Sequence, residues 1–321
     1  MKPIIDYVKQ HTHPYKTEKS IFNIITGKKS HQTFFDACSQ QLLSLYHSLP
    51  KLKYPSFERY FEQNEPSHSE FKLFVHPKYT YDSMVDTFRA IQLLVQTTTM
   101  RANEQRSFVP LVQSVNIQQR VKSILAQYDT MMTCHKQLYN ELSQLFQRIE
   151  MQYGSLHLHY YLQGYDVSMY TRQQVSMITD QKQTTLYLHE YNQFVHMMFE
   201  LEQTEQYPIL AQCIMRPSLT IQANDTRQRL TTTQDVTRLA NEKSVKENTI
   251  EDHILELFIK GYIDNYNDFV ASDDIATLLS IYTATRDARL RYYKTQVEHL
   301  SYFQIKLIII GYERGDLSDD A

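Results

Sequence analysis

The chain has 321 residues and a net charge of −3, long enough for two or three domains. Its 6 Gly and 9 Pro are too few for the tight turns and bulges of a β protein, so an all-α fold is expected. Charge is uneven: residues 231–321 hold 10 Lys and Arg against 16 Asp and Glu, a net of −6, and residues 1–230 hold 23 against 20, a net of +3. An acidic C-terminal segment counts against strong autonomous duplex binding, which draws its affinity from Lys and Arg on phosphates.

In chain order, residues 2–15 read as a short helix broken at Pro14, and Lys19 to Gly27 as a second with Gly27 as its C-cap. A third helix is expected from Thr33 to Leu49, ended by Pro50, then loops over 50–80 with a short element at Phe71 to Val75. A long helix follows from Tyr81 to about Asn103, and another from Ile117 to Met151 that no Gly or Pro interrupts. Leu156 to Gly164 reads as ending in a capping Gly. Thr171 is an N-cap candidate, and Thr184 to Glu205 carries an apolar stripe. Residues 1–215 thus form a helical N-terminal region, with a break near 105–115 or 150–165. The polar stretch 216–230 reads as a linker, 231–315 as the last domain and 316–321 as a frayed acidic tail.

The last domain opens on a helix-turn-helix pattern. Thr233 can cap a helix whose apolar side is Val236, Leu239 and Ala240; Lys243-Ser244-Val245 make the turn, with Val245 plugging the corner. The second helix presents Ile250, Ile254, Leu257 and Phe258 on one side. Ser244 stands where such turns usually carry glycine. As a recognition helix it would bring Lys246, Asn248 and Thr249 to DNA, yet Glu247, Glu251, Asp252 and Glu256 share it, and Asn248 and Thr249 read better as helix caps. Downstream, Arg286, Arg289, Arg291 and Lys294 lie among Tyr282, Tyr292 and Tyr293, the mixture a single-strand groove uses, although a solvated basic stripe with the tyrosines packed inward is the stronger reading of the same pattern; Arg286 and Arg289 would share one helix face. Lys16, Lys19, Lys28 and Lys29 form a second, weaker basic cluster.

Ala240, Val245 and the run Glu247 to His253, followed by YNDFV and by Glu298 to Gly315, resemble the helicase-type helix-turn-helix domain at the C-terminus of some RecQ-type helicases, over residues 231–315. The run from Lys19 to Ala37, KSIFNIITGKKSHQTFFDA, resembles the N-terminal signature of YpbB-like proteins of Gram-positive bacteria, and QLLVQT, FVPL and GYD further along are similar to the same family. The resemblance implies a non-catalytic accessory or adaptor protein in DNA metabolism that partners a RecQ-type helicase or another DNA-processing protein. A DNA-binding transcriptional regulator is the alternative.

Catalytic and metal patterns are weak. ITGKKS (25–30) lacks the earlier glycine of a phosphate loop, Phe22 standing there. His189-Glu190 lacks the second histidine of a zinc-protease motif, since position 193 is Gln193. On a helix Cys134 and His135 diverge. Cys38, Cys134 and Cys213 are far apart with no CxxC, as reduced thiols of a cytosolic protein are. The run Leu307 to Ile310 is too short to span a membrane. No catalytic residue, cofactor, metal, membrane contact or small-molecule substrate is expected, and the location expected is cytoplasmic.

Overall fold

Apolar residues at helical spacing and scarce glycine make the helix the easiest way for this backbone to satisfy its own hydrogen bonds. The computed structural model describes residues 2–63, 71–127 and 131–318, and among them the regular structure is helical, with no strand. The all-α expectation holds. In chain order the α-helices are α1 (Lys2–His11), α2 (Glu18–Thr26), α3 (His31–Ser39), α4 (Tyr54–Gln63), α5 (Tyr81–Ala102), α6 (Val115–Leu125), α7 (Met131–Tyr153), α8 (Arg172–Ile178), α9 (Gln183–Leu201), α10 (Ile221–Leu230), α11 (Val236–Lys243), α12 (Glu247–Ile259), α13 (Ser272–Ala284), α14 (Leu290–Gln296) and α15 (Tyr302–Arg314). Among the described residues no helix is long and apolar enough to cross a membrane.

The chain divides into two units, one of residues 81–215 and one that joins residues 2–80 to residues 216–321. The first is built on α5, which packs against α6, α7, α9 and the short 3-10 turn Leu210–Cys213. Phe88 of α5 meets Phe194 of α9 with ring centroids 5.5 Å apart. The helix expected from Ile117 to Met151 is two helices: α6 ends at Leu125 and α7 begins at Met131. Both lie against α5. Buried Glu141 of α7 fastens the 3-10 turn, accepting from the backbone N–H of Ile209 at 3.0 Å and of Leu210 at 2.9 Å. Thr171 caps α8 in a capping box with Gln174.

In the second unit α12 is central. Ile250 and every residue from His253 to Lys260 are buried, and α3, α10, α11 and α15 pack around the helix. The third helix stops at Ser39, short of the expected Leu49, because Gln41 takes a left-handed conformation (φ 55°) and the chain folds back; Leu42, Leu43, Leu45, Tyr46 and Leu49 are buried in that reversal. Residues 54–63 are helical where loops were expected, and Phe71 to Val75 form no regular element.

The expected linker 216–230 is a helix over most of its length. Thr220 caps α10 by accepting from the N–H of Ala223, and buried Ala223 and Thr226 give it a narrow face against α12, with the Thr226 hydroxyl 2.9 Å from His253 Nδ1. Few large apolar residues suggested a linker; two small ones suffice for close helix contact. The start of the expected frayed tail is held too: Asp316 accepts from the Tyr266 hydroxyl at 2.9 Å and from Arg314 Nε at 2.9 Å. Residues 319–321 lie outside the described residues.

α3 is tied to α12 by a ring of α3 against a cation that is paired within α12. Lys260 Nζ is 2.7 Å from Glu256 and 3.9 Å from the centre of the Phe34 ring. Glu256 also accepts from the backbone N–H and hydroxyl of Thr220, at 2.8 and 2.9 Å. Shared hydrogen bonds of this kind are what a buried charge needs.

Candidate nucleic-acid interface

The helix-turn-helix consists of α11, a turn at Ser244 to Lys246, and α12. Asp235, not Thr233, caps α11, accepting from the N–H of Arg238, and the Thr233 hydroxyl accepts from the N–H of Asp235. The turn closes by two backbone bonds, Ser244 N–H to Asn241 C=O at 3.1 Å and Val245 N–H to Ala240 C=O at 3.0 Å, the pattern that normally calls for glycine. Ser244 supplies the left-handed residue itself, at φ 53° and ψ 42°. Leu239, Ala240, Ile250, Ile254 and Leu257 are buried and Val236 is half-buried. Val245, expected to plug the corner, is 37% exposed, while Leu239 before the turn and Ile250 after it are buried.

The first turn of α12 is the part of that helix left open. Lys246 is in the N-cap position with no side-chain cap, so neither Asn248 nor Thr249 is the cap expected from the sequence. Lys246 and Asn248 are exposed and Thr249 is half-buried. Glu247, Glu251 and Asp252 crowd the same turns; burial, then Asp252 and Glu247, push the Glu251 carboxyl above its ordinary range. Such a surface repels phosphate.

A second surface of the same unit has the opposite character. A cleft of about 830 Å³ opens between the α2–α3 region and the α13–α15 region. Its walls carry Lys16, Lys19, Lys28, Arg286, Arg289 and Arg291 against one carboxylate, Asp36. Most of the two basic clusters of the sequence therefore meets in one place, with Lys29 and Lys294 outside the lining. Arg286 and Arg289 do not share a helix face: both lie in the turn between α13 and α14, which ends the first helix at Ala284 and starts the next at Leu290.

The cations differ in how far they are committed. Lys16 is 2.5 Å from Asp36, which also accepts from Ser20 Oγ at 2.8 Å and Gln32 Nε2 at 2.7 Å. Arg286 is clamped to buried Glu313 of α15. Lys294 donates to the carbonyls of Glu298 and Leu300, at 2.5 and 2.6 Å, and caps the end of α14 instead of facing a ligand. Arg289 lies 5.5 Å from the centre of the Tyr15 ring, with Lys16 at 5.3 Å from that ring. Lys19, Lys28 and Arg291 are exposed and form no ion pair among the described residues.

Tyrosines furnish much of the apolar part of the cleft, together with Phe35, Leu290 and Ile309. Burial above all, then the neighbouring Tyr293, Asp36 and Asp287, pushes the Tyr15 hydroxyl up to about 12, so it stays a donor at neutral pH. The Tyr293 hydroxyl donates to Thr285 C=O at 2.5 Å and the Tyr282 hydroxyl to Glu313 at 2.8 Å. Tyr302, 47% exposed, offers an open ring at the mouth. At the rim His13 Nδ1 is 2.9 Å from Asp287.

The remaining sequence candidates have structural partners. Gly27 of ITGKKS caps α2 at φ 77°, and the His47 ring occupies the space a Cβ would need. Gln193 receives the N–H of His157 at 3.0 Å and meets its Nδ1 at 2.9 Å. Cys38, Cys134 and Cys213 are buried, and burial raises each thiol above its ordinary value, so none is a ready thiolate. Among the described residues no group of three His, Cys, Asp or Glu could hold a metal ion.

Comparison with known proteins gives the class first. Residues 222–309, from α10 into α15, match the model of a helix-turn-helix domain family. The match begins in the segment that read as a linker, in keeping with the packing of α10 on α12. Over the longer range the chain is similar to Protein YpbB of Bacillus subtilis (strain 168), 21% identical over 327 residues, covering 92% of each chain. No solved structure matches.

Proposed function

We propose that this protein is a non-catalytic accessory factor of DNA metabolism that works beside a DNA-processing enzyme, a RecQ-type helicase first among them, and is not a groove-reading regulator. The charge on the open end of α12 carries this reading. A recognition helix reads base edges with the residues at its N-terminal end. Here every residue from His253 to Lys260 is buried, and the one exposed turn sets Lys246 against Glu247, Glu251 and Asp252. The helix-turn-helix serves as the core of a docking domain. Its likeness to the helicase-type domain supports the choice of partner, and tethering beside a motor raises effective concentration without high intrinsic affinity.

Affinity capture of the tagged protein from its own cells after nuclease digestion tests this. Recovery of a RecQ-type helicase or another DNA-processing enzyme is the expected result. Failure to recover one, together with duplex binding that Lys246→Glu abolishes, would put the transcriptional-regulator reading in its place.

A further inference from the structure

We propose that the cleft between the α2–α3 and α13–α15 regions is a binding site for single-stranded nucleic acid. The inference deepens the accessory role above and rests on it for the choice of nucleic acid over other phosphate-bearing ligands. Four cations face this space with no carboxylate partner among the described residues: Lys19 and Lys28 on one wall, Arg289 and Arg291 on the other. Gathered in a concavity, like charges of this kind are costly unless an anion joins them, and opposing walls suit a chain of phosphates better than a single one.

The aromatic residues decide which nucleic acid. A duplex keeps its bases stacked inside and would present only phosphates, leaving the tyrosines without a role. A single strand presents base faces that stack on tyrosine and on arginine planes. Tyr302 is open at the mouth, and Tyr15 already lies between Lys16 and Arg289. A volume of about 830 Å³ is room for a few nucleotide units. Arg286 and Lys16 are held by Glu313 and Asp36, so they shape the walls instead of taking phosphate.

Fluorescence anisotropy on the purified full chain tests the site, with a labelled mixed-sequence DNA strand as probe and with the same sequence as duplex, AMP and inorganic phosphate as competitors. The single strand should bind about tenfold or more tighter than the duplex. The double variant Lys19→Glu/Arg291→Glu should lower the slope of log Kd against log salt by about 1.4, at about 0.7 for each phosphate no longer neutralised. Tyr302→Ala should weaken binding about tenfold with the salt slope unchanged, as removal of a stacking ring does. These side chains are exposed, and a thermal melt confirms that each variant folds. Equal affinity for duplex, indifference to the charge reversal, no binding at low salt, or competition by AMP with no gain for the longer strand would each overturn the proposal. Capture of a helicase is read separately, so either idea can fail alone.

Discussion

Arg286, in the turn between α13 and α14, grips the buried carboxylate of Glu313 on α15 with its guanidinium, Nη2 lying 2.5 Å from Oε2 and 2.7 Å from Oε1. The Tyr282 hydroxyl donates to the same carboxylate at 2.8 Å. The pair anchors the turn that carries Arg289 and Arg291. Arg286→Ala strands a buried carboxylate with one donor, and because water reaches the arginine the cost should be about 2 kcal/mol in urea unfolding. If Arg286 is structural, Arg286→Lys should leave affinity for a single strand within about twofold, far less than a phosphate contact is worth.

Ser244 holds a left-handed conformation that costs a residue with a Cβ about 1–2 kcal/mol. Glycine adopts it without strain and gives back part of the gain through the unfolded chain. Ser244→Gly should raise stability by about 0.5–1 kcal/mol, seen as a higher urea midpoint with the same m-value. A fall in the midpoint would mean that the serine side chain contributes a bond of its own.

Buried histidines make stability depend on pH. Burial, then Lys243 and His31, lowers His253 to about 4; burial, then His189, lowers His157 to about 4; and burial, then Lys78, lowers His76 to about 3. Each folded value lies below the unfolded value of about 6.5, so between these limits the unfolded chain binds the proton and the folded chain does not. Stability from this source is therefore full above about pH 6.5 and falls as pH drops toward 4, by about 1.4 kcal/mol per unit for each histidine. Replacing His253 with Gln, which keeps a partner for Thr226, should remove about 2 kcal/mol of the loss between pH 6.5 and 5. An unchanged slope of urea midpoint against pH would place the proton uptake elsewhere.

Glu141 bonds the backbone N–H groups of Ile209 and Leu210 inside the unit of residues 81–215. Glu141→Ala leaves both donors buried and unpaired, at a cost of about 2–4 kcal/mol. Glu141→Gln keeps one acceptor and should recover about half. Hydrogen exchange at Ile209 and Leu210 locates the damage, and unchanged protection there in Glu141→Ala would show that the turn does not depend on the carboxylate.

What short-range chemistry can specify is written in the sequence. Scarce Gly and Pro with apolar stripes make the chain helical, Thr171 with Gln174 starts α8, Gly27 ends α2, and the cadence from Ala240 to Ile254 writes the helix-turn-helix. Where a local rule gave no stop signal, at Gln41 and after Leu125, the predicted helices ran on too long. Which surfaces are open depends on long-range packing. That α12 is enclosed by helices from both ends of the chain, and that Lys19 and Lys28 stand across a cleft from Arg289 and Arg291, follow from packing α3 on α12 and α15. His13 and Asp287 meet across 274 residues. Helical periodicity relates a residue to its neighbours three and four places away, and closing so long a loop costs only logarithmically more than closing a short one, so no spacing in the sequence marks the partners.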